Sequence, residues 1–192
     1  MRRSLLVISL SLVALATLSI GWFGWSTAGA EDDEDDGNRG RGGGSGLQFD
    51  ASLSGAQEVS PPAPAGGVVT ETSGDVMVRF SKDLSEANFR LRVFNGKEIT
   101  QAHFHCGRPG ENGPVVVFLF GLEPDGVDVN GELSSGTLTN ASFTGADCLG
   151  PIGRPVNNIA SLAFAMRDGL VYANAHSIAN PPGEVRGQML EK

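Results

Sequence analysis

Three histidines are the residues of this 192-residue sequence whose spacing is best suited to chemistry. His103 and His105 are separated by one residue, and His176 lies in a later segment with a similar alternating pattern. Side chains two residues apart in a β-strand point to the same face of the sheet, so His103 and His105 can bind one metal ion. Neutral imidazole is a ligand for copper, zinc and nickel. The three histidines therefore form a candidate metal site.

The residues around the histidines predict on which face of the sheet the imidazoles lie. The alternate positions in the two segments are apolar and are expected to face the core: Ala102, Phe104, Cys106, Val171, Ala173 and Ala175. If the two strands are neighbours, the three imidazoles converge on the outer face of the sheet. Glu184, predicted on the same face of the last strand, is then a candidate fourth ligand or a hydrogen-bond acceptor for a ligand histidine.

A second interpretation gives the histidines no metal. His103 and His105 can instead hydrogen-bond to neighbouring loop backbone and stabilise the outer face of the sheet, as ordinary polar residues do. Ser177, which follows His176, does not complete a hydrolytic triad, because adjacent residues of a strand point to opposite faces. The sequence therefore predicts no catalytic residues.

The two cysteines, Cys106 and Cys148, are an even number, as expected for a disulfide in an exported protein. Such a bond would close a loop of about 43 residues and stabilise the fold by about 4 kcal/mol in the chain-entropy model. The alternative is that Cys106, next to His105, is a thiolate ligand. The alternation of the strand disfavours this alternative because it places Cys106 on the core side.

The N-terminal residues have the pattern of a targeting segment and a linker. Residues 1–30 begin with two arginines, continue with an apolar run and end in small residues, which predicts a signal peptide cleaved after Ala30. Residues 31–46 are acidic and then glycine-rich, which predicts a disordered linker. Left uncleaved, residues 5–25 are long enough to anchor the chain in a membrane. In both cases the rest of the chain is expected to leave the cytoplasm. It is expected to be secreted or to be located in the periplasm or the cell envelope.

Residues 47–192 are predicted to form one all-β domain. Short stretches of alternating apolar and polar residues are separated by turn residues, which is typical of an antiparallel, immunoglobulin-like or Greek-key β-sandwich or barrel. Asn95-Gly96 and Asn130-Gly131 predict two tight turns. The continuous apolar run 115–120 predicts a strand buried on both faces. Helical spacing of apolar residues predicts one short helix near 157–168.

Composition and charge exclude two classes of protein. The chain has 27 glycines and 10 prolines, which disfavours a helical bundle or a coiled coil. Its 22 acidic and 14 basic residues give a net charge of −8, so it is not expected to neutralise the phosphates of a nucleic acid.

Several motifs of the predicted domain resemble those of the chordin-type (CHRD) domain family. The similar segments are LSGAQEV at 53–59, AHFH at 102–105, NGPVV at 112–116, YANAH at 172–176 and NPPGEVRGQ at 180–188. The resemblance implies a secreted, immunoglobulin-like sandwich or barrel, which in chordin belongs to a growth-factor-binding protein. The histidine pattern is also similar to that of copper–zinc superoxide dismutase, but the remaining histidines and the zinc-loop aspartate are missing.

Two functional hypotheses follow from these observations. The first is an exported, non-enzymatic binding or structural module with an extracellular or envelope protein, or a matrix component, as its partner. The second is a metalloprotein that binds copper or zinc through His103, His105 and His176, with dismutase-like redox activity not expected.

Overall fold

The computed structural model describes residues 46–59 and 67–192. The predicted signal peptide, the predicted linker up to residue 45 and the Pro61-Pro62 loop lie outside these residues. Within the described residues the chain forms eight strands, two α-helices and two 3-10 turns. In chain order the strands and helices are β1 (Gln48–Ser54), β2 (Ser73–Phe80), β3 (Ala87–Cys106), β4 (Val115–Phe120), β5 (Val127–Leu138), α1 (Leu149–Ile152), α2 (Ile159–Arg167), β6 (Val171–Ser177), β7 (Val185–Gln188) and β8 (Leu190–Glu191).

The strands form a single sheet that closes on itself. Neighbouring strands follow the order β2-β1-β7-β6-β3-β4, and β2 also pairs with β3, which completes the ring. The two remaining strands extend the sheet, β5 along β3 and β8 along β1. The pairings between these strands are antiparallel. The all-β prediction is therefore confirmed, and of the two architectures that the sequence left open the structure has the barrel.

The longest strand, β3, connects the two halves of the sheet. Its first half pairs with β2 and β5, and its second half pairs with β6 and β4. Apolar residues of these strands alternate into one core, in which Phe49, Phe104 and Leu91 are almost completely buried. The histidine segment 103–105 lies near the end of this long strand. It pairs with β6 along one edge and with β4 along the other.

The two Asn-Gly dipeptides do not form the predicted turns. Both lie inside strands, where the register of β3 on β5 shifts on either side of Gly96. Asn95 has a φ of 53° and its backbone N–H donates to the side chain of Asn130, 3.2 Å away. The left-handed conformation that the dipeptide favours is used here for a bulge, which bends a continuous strand instead of reversing it.

The prediction that 115–120 is buried on both faces is wrong at Phe118, which is 49% exposed. In the strand order, β4 lies at the end of the path and pairs with β3 along one edge. The other edge is met by one isolated bridge, between Val117 and Phe143. The ring of Phe118 packs on the histidine face of β3, and this contact explains why an edge strand is apolar throughout.

The predicted helix is confirmed as α2, which ends two residues before Gly169. Asn158 is the N-cap residue, and its side chain accepts a hydrogen bond from the backbone N–H of Ser161 while the Ser161 hydroxyl accepts one from Asn158. This reciprocal arrangement is a capping box. Among the residues that the structure describes, no helix is long and apolar enough to cross a membrane.

Cys106 and Cys148 form a disulfide bond, as the sequence favours, with their Cα atoms 6.0 Å apart. Both residues are completely buried in the core. The bond ties the end of β3 to the segment just before α1. Cys106 therefore has no thiolate available for a metal ion.

Removing the disulfide is expected to destabilise the domain. The bonded residues are 42 positions apart, and a loop of this size corresponds to a loss of about 3 to 4 kcal/mol in the free energy of unfolding. The measurement is urea denaturation of the oxidised protein, the thiol-reduced protein and the Cys106→Ala/Cys148→Ala variant. Equal transition midpoints for the oxidised and reduced proteins would contradict this prediction.

Candidate metal centre

The pairing of β3 with β6 brings the three histidines together. In this antiparallel register Gln101 is opposite His176, His103 is opposite Asn174, and His105 is opposite Tyr172. The imidazoles lie on the face of the sheet opposite the core, as the alternation of apolar residues predicts. One ring nitrogen from each histidine lies within 4.8 Å of the other two. The predicted convergence of the three imidazoles is therefore present.

Backbone carbonyl groups fix the tautomers of two of these histidines. The Nδ1 atom of His105 is 2.8 Å from the carbonyl oxygen of Gly113, and that of His176 is 2.8 Å from the carbonyl oxygen of Pro181. A carbonyl oxygen only accepts, so both Nδ1 atoms carry the proton and both Nε2 atoms carry a lone pair. This is the arrangement by which neighbouring groups orient histidine ligands at metal sites.

His103 contacts His176 directly. Its Nδ1 lies 3.1 Å from Nε2 of His176, and because that Nε2 is an acceptor, Nδ1 of His103 donates the proton. Two nitrogens bound tetrahedrally to one zinc ion at 2.0–2.1 Å lie roughly 3.3 to 3.4 Å apart. The His103–His176 separation is therefore already close to that of two ligands, and the spread of the cluster requires a shift of about 1.5 Å at most.

The imidazoles are buried. Their exposed fractions are 2% for His103 and 7% for His105 and His176. The ring of Tyr172 stacks on His105 with an angle of 7° and a centroid separation of 4.8 Å. The ring of Phe118 packs edge-on against His103 at 4.6 Å. The outer face of the sheet is thus a covered, partly aromatic layer at this point and not a solvated surface.

A buried arginine holds the segment that covers the site. The Arg186 guanidinium is 2% exposed and donates to the carbonyl oxygens of Arg108 and Glu111 and to the side chain of Asn112. Its central carbon lies 3.4 Å from the centroid of the Tyr172 ring. Arg186 therefore fixes the turn that ends in Gly113, whose carbonyl group orients His105.

Burial keeps all three imidazoles neutral at physiological pH. Desolvation and, to a smaller extent, the neighbouring imidazoles of His176 and His105 lower the pKa of His103 to about 3. Desolvation also lowers the pKa of His105 to about 4, against the opposing effect of its bond to Gly113. The pKa of His176 is lowered for the same reason. Protons therefore do not compete with a metal ion for these nitrogens near neutral pH.

The structure does not bring Glu184 into the histidine cluster. Its carboxylate accepts hydrogen bonds from the Thr70 hydroxyl, from the Ser177 hydroxyl at 2.7 Å and from the Asn180 amide at 2.5 Å. Burial acts to raise the pKa of Glu184, but these hydrogen bonds outweigh it and hold the pKa below its usual value. Glu184 therefore stabilises the loop between β6 and β7, which contains Pro181.

The fold and the site can be compared with known families. The family model for the CHRD domain matches residues 49–189, which is most of the chain. The chain belongs to the CHRD domain family. Among curated proteins and among solved structures, none matches the chain significantly.

The segments that resemble CHRD motifs surround the histidine cluster. Gly113 lies in the 112–116 segment. Asn174 lies on β6 in the 172–176 segment, paired with His103 on one side and with Arg186, of the 180–188 segment, on the other. The 53–59 segment contributes Glu58, whose carboxyl group lies against Gly183. Residues from segments that are far apart in the sequence thus lie together around the histidine cluster.

Sequence reasoning missed two polar residues beside the cluster, Glu58 and Asn174. Both are buried, and within the described residues Glu58 Oε1 and Asn174 Oδ1 have no hydrogen-bond partner. The Nε2 atoms of His103 and His105 likewise have none there, although the Asn174 side chain lies close enough to His105 to raise its pKa. Burial raises the pKa of Glu58 to about 7, against the lowering effect of Arg186. The signal that could have identified Glu58 and Asn174 is their position in the segments that resemble CHRD motifs. The spacing of these two residues gives no separate indication.

Acid is expected to destabilise the metal-free protein below about pH 6.5. An unfolded histidine titrates near pH 6.5, whereas His103 and His105 titrate near 3 and 4 in the folded chain. In this window the unfolded state binds more protons, so the free energy of unfolding falls by up to about 1.4 kcal/mol per pH unit for each histidine. The raised pKa of Glu58 makes its contribution to the pH dependence of stability opposite in sign. The three histidines together outweigh this one group.

The measurement is urea denaturation in the presence of a chelator at several pH values between about 7.5 and 4.5. The control is His105→Gln, which is expected to flatten the dependence on pH because the buried titrating group is removed. Equal stability across this range would show that the imidazoles are not buried in the neutral form.

Proposed function

We propose that this CHRD-domain chain is an exported, non-enzymatic module that binds one transition-metal ion, copper or zinc, through His103, His105 and His176. The observation that carries the proposal is the pair of hydrogen bonds that Nδ1–H of His105 and Nδ1–H of His176 donate to backbone carbonyl groups. They leave both Nε2 atoms with a lone pair, that of His176 directed at Nδ1 of His103, in a cluster where the three ligand atoms are within 4.8 Å of one another.

The alternative role for these histidines is purely structural, and the unpartnered nitrogens argue against it. A buried polar atom without a hydrogen bond costs about 1 to 3 kcal/mol. Nε2 of His103 and Nε2 of His105 are both in this condition. A metal ion bound to Nε2 of His105 would satisfy one of these two nitrogens, which the protein itself leaves unsatisfied.

The chemistry of the ligands favours copper or zinc. Imidazole nitrogens are borderline ligands that suit these ions, whereas calcium and magnesium require oxygen ligands. The oxidised state of Cys106 and the hydrogen bonds of Glu184 leave the histidines as the ligand set. The site would hold the ion on the two paired strands β3 and β6, which are rigid supports for ligands.

The other parts of the proposal rest on separate observations. A disulfide is compatible with export to an oxidising compartment. Ser177 is not placed as a nucleophile activated by His176, because its hydroxyl donates to Glu184. An extracellular or envelope protein, or a matrix component, is the proposed class of partner for such an exported domain.

The test is the metal content of the purified chain and of single-site variants, measured by mass spectrometry after dialysis against each metal. We expect one copper or zinc ion per chain, and at least a tenfold loss of affinity in His105→Ala and in His176→Ala because each loses one ligand. Glu132→Gln is the matched control, because Glu132 is an exposed carboxylate of β5 outside the cluster. It is expected to leave both the stability and the stoichiometry unchanged.

Two results would contradict the proposal. One is a wild-type chain that binds neither copper nor zinc while its circular dichroism and denaturation show a folded domain. The other is metal binding that survives in both histidine variants, because it would place the ion elsewhere in the chain.

A further inference from the structure

We propose that the histidine cluster selects cuprous copper, Cu⁺, over Zn²⁺ and Cu²⁺. The inference rests on the proposed function, because it names the ion that this same site takes. It follows from three features of the site: the neutrality of the ligands, the positive charge of Arg186, and the closed cover over the imidazoles.

The ligand set supplies three neutral donors. Within the described residues the cluster contains His103, His105 and His176 and no carboxylate or thiolate. Zn²⁺ in protein sites is almost always four-coordinate, and Cu²⁺ favours a square-planar or tetragonal arrangement. Cu⁺ has a filled d shell and is stable with three nitrogen ligands. Three imidazoles therefore satisfy Cu⁺ and leave a coordination position of Zn²⁺ or Cu²⁺ unfilled.

The nearest fixed charge also disfavours a doubly charged ion. The Arg186 guanidinium stacks on the ring of Tyr172, and the ring of Tyr172 stacks on His105. Its repulsion of a bound ion is proportional to the charge of that ion, so Zn²⁺ and Cu²⁺ are repelled twice as strongly as Cu⁺. The buried carboxyl group of Glu58 interacts with Arg186 and carries at most one negative charge. It can therefore cancel the charge of Arg186, but it cannot also compensate the charge of a bound ion.

Burial amplifies the difference between the ions. The three imidazoles are less than one-tenth exposed. The cost of moving an ion from water into such an environment rises with the square of its charge, so it is about four times larger for a divalent ion than for Cu⁺. An exposed three-histidine site would lack this discrimination because water would screen the charge.

Phe118 separates the cluster from solvent on one side. Its ring packs edge-on against His103, and it is itself half exposed. Removing the ring would admit water next to His103, and water is the usual fourth ligand of zinc bound by three histidines. Phe118 is therefore the side chain through which the selection can be altered without changing a ligand.

The experiment compares the dissociation constants of the three ions for the purified full chain. Cu⁺ is presented anaerobically in a reductant with a chromogenic cuprous chelator, and Zn²⁺ and Cu²⁺ are presented with chromogenic chelators of their own. We expect one Cu⁺ per chain with a dissociation constant at least about a thousandfold below that for Zn²⁺ or Cu²⁺. A hundredfold excess of Zn²⁺ is then expected to leave bound Cu⁺ in place.

The same titrations on Phe118→Ala test the cause of the selection. We expect the ratio of the Zn²⁺ and Cu⁺ dissociation constants to fall about tenfold, mainly through tighter binding of Zn²⁺. Leu122→Ala is the matched control, since Leu122 is an exposed apolar residue just beyond β4 and outside the cluster. It is expected to leave the ratio unchanged.

The outcomes separate this inference from the proposed function. Binding of Zn²⁺ or Cu²⁺ as tight as that of Cu⁺ would overturn the selection and leave the three-histidine metal site intact. A folded chain that binds none of the three ions would overturn both. An unchanged ratio in Phe118→Ala would overturn the part of the inference that assigns the selection to the cover.

Discussion

The antiparallel pairing of β3 with β6 is the interaction on which the rest of the site depends. It brings His103 within hydrogen-bond distance of His176 although the two residues are far apart in the sequence. Because side chains in strands alternate between faces, the same register that directs Phe104 and Ala173 into the core directs the imidazoles to the opposite face. A shift of one residue in this register would bury the imidazoles in the core and expose the apolar residues.

The covering loops convert this cluster of histidines into an organised site. An imidazole that is buried and neutral needs a partner for its N–H group, and two loop carbonyl groups meet this need for His105 and His176. One of these loops is fixed by the contacts of Arg186, and the other by the carboxylate of Glu184. The charged residues near the site thus act through loop geometry, and the disulfide at Cys106 holds the end of the ligand strand.

The local part of this structure could be predicted from the sequence, and the long-range part could not. Alternation identified the strand residues that face the core, and the helical spacing of apolar residues identified α2. The Asn-Gly dipeptide at 95–96 was misread as a turn because its left-handed backbone serves a bulge equally well. The burial of His103 could not be predicted, since it depends on the ring of Phe118 from the neighbouring strand β4. Such cover follows from tertiary contacts and leaves no periodic pattern.

The histidine cluster is nearly in the geometry that the proposed ion would require. His105 and His176 already present the correct nitrogens, because the protons on Nδ1 are held by carbonyl groups and not by solvent. The main change falls on His103, whose Nδ1 proton is shared with His176 and must leave that position before both nitrogens can bind one ion. Moving this proton to the unpartnered Nε2, or turning the ring, achieves this without a net change of charge. An ion at the proposed site would then spend little binding energy on reorganisation, which is the physical advantage of placing the three histidines on two hydrogen-bonded strands.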